Sequence, residues 1–586
     1  MPIGKAGFVN GSMQPLVDVR QSSVAPRHPC WWRRAEANRL ILPAALLAVL
    51  LVATVGLGSL GALLWQAPDM DISRLWREPW LAAILRFSLL QATLSTLLSL
   101  GGGVLVAVVL ARRPVFPGRA LLLRVMEMSL VIPALLALFG LVAVHGRQGW
   151  LGSLLESLPF APSTSPDYLY GLSGIVLAHV FFNLPLSGRV MLQALEQAPS
   201  AHWRLVAQFG LSRTAIWRTL EWPQIRQLLP RLAALVFTLC FTSFAIVMTL
   251  GGGPGSSTLE VALYQALKYD YDLALAALLA MTQLLVCLSL WAVALRVGGN
   301  AALIAAEGHV TGPMQRRDAH GWRRLGDTAV LLGLALLLLP PLVAIVVAGV
   351  GGMPDLLSDV GIWAAALRSL VMASSAGLGA VVVALLLLAG SGDLRHRGRG
   401  TMASMIEGSG QLILILPALV LGTGLFMLLR PGLGSDLQGY ALVVLVNALM
   451  ALPFAMQVLR SAVTGLDGTQ RRVADQLAVH GWSRLRWLIW PRLRRPLALA
   501  LAYGMTLSLG DFSVIALFGS PSAPTLPMLL YQQLGGYRWQ SAAATALLLL
   551  VLVVMVFAIL SGLTRKLPRY AWRHGSSGTD ISRTAC

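Results

Sequence analysis

The chain is 586 residues long, 56% hydrophobic and only 12% charged. Its apolar residues come in runs of about 20 or more, long enough to cross a bilayer, which excludes an ordinary soluble protein. The formal net charge of +20 does not point to nucleic acid, because the basic residues are spread over successive short segments between apolar runs, as membrane insertion requires.

Residues 1–37 are polar and basic and lack the apolar core of a secretory signal, so they read as a cytoplasmic tail ahead of a retained first span. A first half, 38–296, carries predicted spans at 38–64, 81–111, 119–145, 169–190, 230–251 and 272–296. Residues 297–324 form a basic linker interrupted by Gly298, Gly299, Gly308 and Gly312. A second half, 325–564, carries spans at 325–350, 362–390, 401–429, 437–458, 496–519 and 541–564, and 565–586 is a second cytoplasmic tail. The expected fold is thus an all-α integral membrane protein of about twelve helices in two similar six-helix halves. An even number of spans agrees with the basic bias: Arg33, Arg34, Arg112, Arg113, Arg316, Arg317, Arg395 and Arg397 all fall on one side if both termini are cytoplasmic. Cys30, Cys240, Cys287 and Cys586 are scattered, giving neither a disulfide framework nor metal-ligand spacing.

The halves share their punctuation at one constant offset. Leu184-Pro185 matches Leu452-Pro453; Arg204-Leu205-Val206-Ala207-Gln208-Phe209-Gly210 matches Arg472-Val473-Ala474-Asp475-Gln476-Leu477-Ala478; Trp222-Pro223 and Arg226 match Trp490-Pro491 and Arg494. With one residue lost, Thr258-Leu259 ahead of Tyr264-Gln265 matches Thr525-Leu526 ahead of Tyr531-Gln532. Within the first copy, Ser200 is placed to cap a short helix, Gly210 to end it in the left-handed conformation, and Ser212 to cap a second helix that stops before Pro223. Such an amphipathic loop would suit anionic lipid, but its recurrence at matched positions favours a protein partner with two equivalent sites.

This helix, glycine turn and proline-marked helix resembles the cytoplasmic coupling loop of ABC importer permeases. Arg204 and Arg472 stand where that family has Glu, and Ala478 stands where it has Gly; a second register through Gly481 would break the spacing to Pro491. The strings Thr258 to Leu267 with Tyr269-Asp270-Tyr271-Asp272, and Gly510-Asp511-Phe512-Ser513 to Gly519 with Thr525-Leu526-Pro527, are similar to permeases of the thiamine and thiamine pyrophosphate importers. That resemblance implies a fused inner-membrane permease served by two copies of a separate cytoplasmic ATPase and by a periplasmic binding protein that delivers thiamine or its phosphate esters. It also implies that Arg204, Ala207, Gly210, Trp222 and Pro223, with Arg472, Asp475, Ala478, Trp490 and Pro491, meet the ATPase.

The residues carry no chemistry of their own. The lysines are Lys5, Lys268 and Lys566, none of them in a phosphate-cradling loop, so nucleotide hydrolysis is expected elsewhere and no cofactor is implied. His145 and His179 stand alone in apolar segments and read as helix contacts rather than ligands. Intramembrane ionisable groups are costly and so mark pathways or buried partners. Asp511 is the foremost of them, with Ser243 at its place in the first half; Glu127 and Glu407 are expected to snorkel or to pair with Arg119, Arg124 or Arg399. Tyr264-Gln265 and Tyr531-Gln532 are candidate outward gates, although interfacial aromatics also serve as belts. The favoured function is a permease for thiamine compounds. Ferric iron or another small solute is the alternative substrate, and a proton-coupled secondary transporter using Asp511, Glu127 or Glu407 is a different class, disfavoured because the two halves enter the membrane from the same side.

Overall fold

A computed structural model describes residues 41–65, 71–129, 131–147, 149–156, 167–197, 202, 205–206, 208–251, 253–297, 322–413, 416–429, 436–464, 476–477, 479, 483 and 485–562, and the described residues form helices and connecting turns with no strand. The tails, most of the linker and the segment 465–475 lie outside them.

In the first half the main helices are α1 (Ile41–Trp65), α2 (Pro79–Arg112), α3 (Arg119–Met128), α4 (Ala134–His145), α5 (Leu172–Glu196), α6 (Trp222–Phe241), α7 (Phe244–Leu250), α8 (Leu259–Lys268) and α9 (Leu273–Val297). The second half repeats them as α10 (Trp322–Gly351), α11 (Val360–His396), α12 (Gly400–Leu412), α13 (Ala418–Leu429), α14 (Asp436–Thr464), α15 (Trp490–Gly510), α16 (Ser513–Phe518), α17 (Leu526–Gly535) and α18 (Trp539–Gly562).

Among the described residues nine helices are long and apolar enough to span a membrane, or ten if the bent pair at Thr242 and Ser243 is one span; the twelve expected from hydropathy are not reached. In each half two apolar runs are broken; the breaks in 230–251, 401–429 and 496–519 account for the shortfall, whereas Ala134–Ser153 still counts among the nine. The run 119–145 divides into α3 and α4 at Pro133, and 401–429 into α12 and α13 just ahead of Ala418. Proline supplies no N–H and disfavours helix in the residue before it, so the chain turns there. The runs 230–251 and 496–519 divide at Ser243 and at Asp511, both extended, with φ −83°, ψ 103° and φ −69°, ψ 130°. Non-helical backbone at membrane depth persists only where protein or a wet cavity covers it. These matched breaks therefore mark the interior of the molecule.

The two halves are interlocked. Gly140 on α4 lies so close to α10 that a Cβ would stand 2.5 Å from the Pro341 carbonyl oxygen, and the matching Gly424 on α13 lies against Ser59 of α1 in the same way. Only glycine permits that backbone approach. The first helix of each half thus packs on the third span of the other.

Candidate functional site

At one end of the molecule, the end of α2 that carries Arg112, lies the first candidate coupling loop. Gly210 adopts φ +58°, and Ser212 Oγ accepts the Ala215 N–H at 3.3 Å. The helix beyond does not stop before Pro223. It runs from Arg213 through a π-helical turn, Trp217–Glu221, and straight into α6, whose second residue is Pro223. A π turn shifts the backbone bonding by one residue, so the wide turn absorbs a proline that an α-helix interior would reject. The second half repeats it, with a π turn at Leu485–Ile489 leading into Trp490-Pro491. This rare element therefore stands at the same distance ahead of Pro223 and of Pro491.

Ion pairs fix the first loop to both halves. Arg112 of α2 holds the buried Glu221 at 2.6 Å, while Arg113 and Arg213 share Asp327 of α10 at 3.3 and 3.6 Å. Trp222 and Trp490 are partly exposed, at 37% and 54%. Arg204, Ala207, Arg472, Asp475 and Ala478 lie outside the described residues.

Where the halves meet, four aromatic rings form a chain. Phe244 follows Ser243 and Phe512 follows Asp511, and their rings stack on each other at 5.6 Å and 22°. Tyr264 packs on Phe244 at 4.9 Å and Tyr531 on Phe512 at 4.7 Å. The order Tyr264, Phe244, Phe512, Tyr531 reads the same from either half. Offset aromatic contacts at such centroid distances are favourable beyond the area they bury. Around this chain, Gly510 lies with its Cβ position 3.1 Å from Cα of Pro133, and Lys268 Nζ donates to the Leu517 carbonyl at 3.5 Å, both contacts crossing between halves.

The two tyrosine helices are seated by matched hydroxyls. Ser88 of α2 accepts the Leu259 N–H at the start of α8, and Ser369 of α11 accepts the Leu526 N–H at the start of α17. Gln265 and Gln532 serve the ends of these helices through their carbonyls, which accept Tyr269 and Asp270 N–H groups in one half and Gly536 N–H in the other.

Asp511 sits at the break with Oδ1 accepting the Val514 N–H at 3.5 Å and Oδ2 buried without a hydrogen-bond partner among the described residues. Glu127 and Glu407 do not take the partners expected of them. Glu127 binds Arg189 at 2.7 Å, and Glu407, which is buried, binds Arg395 at 2.7 Å, Arg460 at 2.9 Å and Ser391 at 2.8 Å. Arg119 pairs with Glu196 instead. These pairings reflect which helices touch, which spacing along the chain does not reveal. His145 contacts the Tyr168 hydroxyl at 2.6 Å and His179 the Ser95 hydroxyl at 3.2 Å.

Sequence reasoning singled out Tyr264, Tyr531, Ser243 and Asp511 but missed Phe244 and Phe512, which link them, and the seating serines Ser88 and Ser369. The repeat offset held the signal, since each Phe follows immediately on its marked neighbour. It also passed over Glu260, buried on α8 and hydrogen-bonded by the Gln283 amide of α9.

A two-half, all-helical membrane body, with matched broken helices at its centre and matched π turns at one end, defines a pseudo-symmetric permease. Residues 103–297 and 387–567 each match the family of binding-protein-dependent transport system inner membrane components, and the chain belongs to that family. It is similar to the thiamine transport system permease protein ThiP of Escherichia coli, 43% identical over 88% of this chain and 95% of the relative. The ThiP proteins of Salmonella typhimurium, 44% identical over 88% and 96%, and of Brucella abortus, 39% identical over 89% and 95%, are similar likewise.

Proposed function

We propose that this chain is the membrane-spanning subunit of an ATP-driven importer that moves thiamine and its phosphate esters from a periplasmic binding protein into the cytoplasm. The observation that carries the reading is the aromatic chain Tyr264, Phe244, Phe512, Tyr531 at the meeting of the halves, in a protein similar over most of its length to thiamine permeases. Stacked rings exclude water and ions while the path is shut, and parted rings offer π faces to a flat cationic solute. Tyr264 and Tyr531 with the two Phe residues act as the gate, and Asp511 and Ser243 as the hinges that let it part.

Two copies of a separate ATPase dock on the loops 191–229 and 460–495, one per half, with Gly210, Trp222 and Pro223 and their counterparts Ala478, Trp490 and Pro491 in the contact. The remaining contact residues are Arg204, Ala207, Arg472 and Asp475. Both termini and the linker 297–324 lie on that cytoplasmic side, as the basic bias requires. The π turns support this reading, because a wide turn between docking loop and span is a natural point for a force applied outside to bend the helix inside. Uptake of labelled thiamine by cells deprived of this chain tests the proposal. Restoring the chain restores uptake, and normal uptake without it contradicts the proposal.

A further inference from the structure

Among the described residues two non-glycine residues have positive φ, Tyr271 at 52° and Tyr537 at 55°. They occupy matched places in the two halves, in the turns that join α8 to α9 and α17 to α18. In the second half the turn is a Schellman motif, with Tyr537 N–H bonded to the Leu534 carbonyl at 3.2 Å and Arg538 N–H to the Gln533 carbonyl at 2.9 Å. The left-handed residue of that motif is ordinarily glycine. Gly535 and Gly536 stand just ahead of it, yet the strained position itself carries Tyr. In the first half Tyr271 takes the same conformation, followed by Asp272 N–H bonded to the Ala266 carbonyl at 3.0 Å. Strain of this kind persists where the surrounding structure holds it, and it clusters at functional sites.

These rings do not pack inward. Tyr271 is 68% exposed and Tyr537 81%, whereas the gate residue Tyr264 is buried. Both turns lie on the face opposite the coupling loops. Arg74, ahead of α2, holds Asp272 at 3.6 Å, while Arg112 at the far end of α2 holds Glu221; 34 helical residues separate the two ends by about 50 Å. In the second half, Gly352, just past the end of α10, lies against the Gln540 carbonyl, while Asp327 near its start binds Arg213.

Matched in backbone, the turns differ in charge. Tyr271 is flanked by Asp270 and Asp272, and Tyr537 by Arg538. Asp272 is engaged by the Leu275 N–H and by Arg74, but Asp270 and Arg538 are exposed. We propose that Tyr271 and Tyr537 are the paired anchors on which the solute-binding protein docks, and that the opposite charges at Asp270 and Arg538 fix the orientation in which it meets the two halves. The binding protein accordingly presents a basic patch to the first turn and an acidic patch to the second. Exposed tyrosines suit anchors because they bring large amphipathic contact area, and charge of opposite sign at the rim selects orientation.

The inference rests on the importer reading, and its test separates the two. The full complex is placed in nanodiscs, and binding of the thiamine-binding protein of the same cell is measured alongside the melting temperature. Tyr271→Gly and Tyr537→Gly each remove a ring and relieve the strain, so each weakens docking at least fivefold, and together at least twentyfold, without lowering the melting temperature. Asp270→Arg and Arg538→Asp each weaken docking several-fold at low salt and less at high salt. Docking within twofold of wild type in both glycine variants overturns the inference and leaves the importer reading standing. A lowered melting temperature with unchanged docking also overturns it and assigns the rings to the bilayer interface. Wild-type complex that fails to bind the thiamine-binding protein overturns the importer reading itself, and the inference with it.

Discussion

The hydroxyl of Ser88 accepts the backbone N–H of Leu259 at 2.9 Å, tying α8 to the second span of the same half. Ser369 does the same for Leu526 at 2.8 Å. Each bond satisfies a helix N-terminal donor that would otherwise be buried and unpaired, since Leu259 and Leu526 are fully buried. The residues ahead of them, Thr258 and Thr525, are extended and make no side-chain cap of their own. The helices α8 and α17 are therefore each seated from outside, by a neighbouring helix.

Ser88→Ala and Ser369→Ala each leave one buried N–H unsatisfied, at a cost of about 1 to 3 kcal/mol. Thermal melting of the purified protein is expected to fall in both, and uptake with it, while Ser→Thr retains a hydroxyl and loses less. Melting unchanged in both alanine variants would mean that the bond does not seat the helix.

Gly210 has φ +58° and open space where a Cβ would be. A substitution there meets no neighbour, so its cost comes from the backbone alone, about 1 to 2 kcal/mol and greatest for a β-branched residue. Gly210→Val is expected to reduce co-purification of the ATPase and to reduce transport, with normal membrane insertion, whereas Gly210→Asn is milder because Asn tolerates the left-handed region. Equal loss with Asn and Val would point to the side chain rather than the turn.

Asp511→Asn keeps an oxygen that can accept from Val514 while removing the charge. If the charge serves the passing cation, uptake of thiamine falls at least tenfold with little change in melting temperature. Proportionate loss of stability and uptake would assign Asp511 to holding the break, and normal values of both would remove it from either role.

Much of this was legible in the sequence because repeated punctuation is independent of hydropathy. Gly210, Ser212 and the Trp-Pro pairs are local signals, and they take the left-handed turn, the cap and the first positions of α6 and α15. Hydropathy does not reveal where apolar runs are broken, since Ser243 and Asp511 each interrupt a run without shortening it. Phe244 and Phe512 were invisible for a related reason, as a phenylalanine in an apolar run is ordinary until its partner in the other half is known. The crossing of α1 and α10 to the opposite halves, and the pairing of Glu407 with Arg395 and Arg460, depend on which helices meet, and no periodicity along the chain encodes that.

The central claim is that the rings of Phe244 and Phe512, stacked between the halves, must part for solute to pass. Phe244→Cys and Phe512→Cys, introduced together in a background with the four native cysteines replaced, allow the two positions to be joined by a short reducible bis-thiol reagent. Thiamine uptake by the complete importer in proteoliposomes is expected to stop on cross-linking and to return on reduction, with neither single-cysteine control affected. Undiminished uptake while the two positions remain joined would contradict the account.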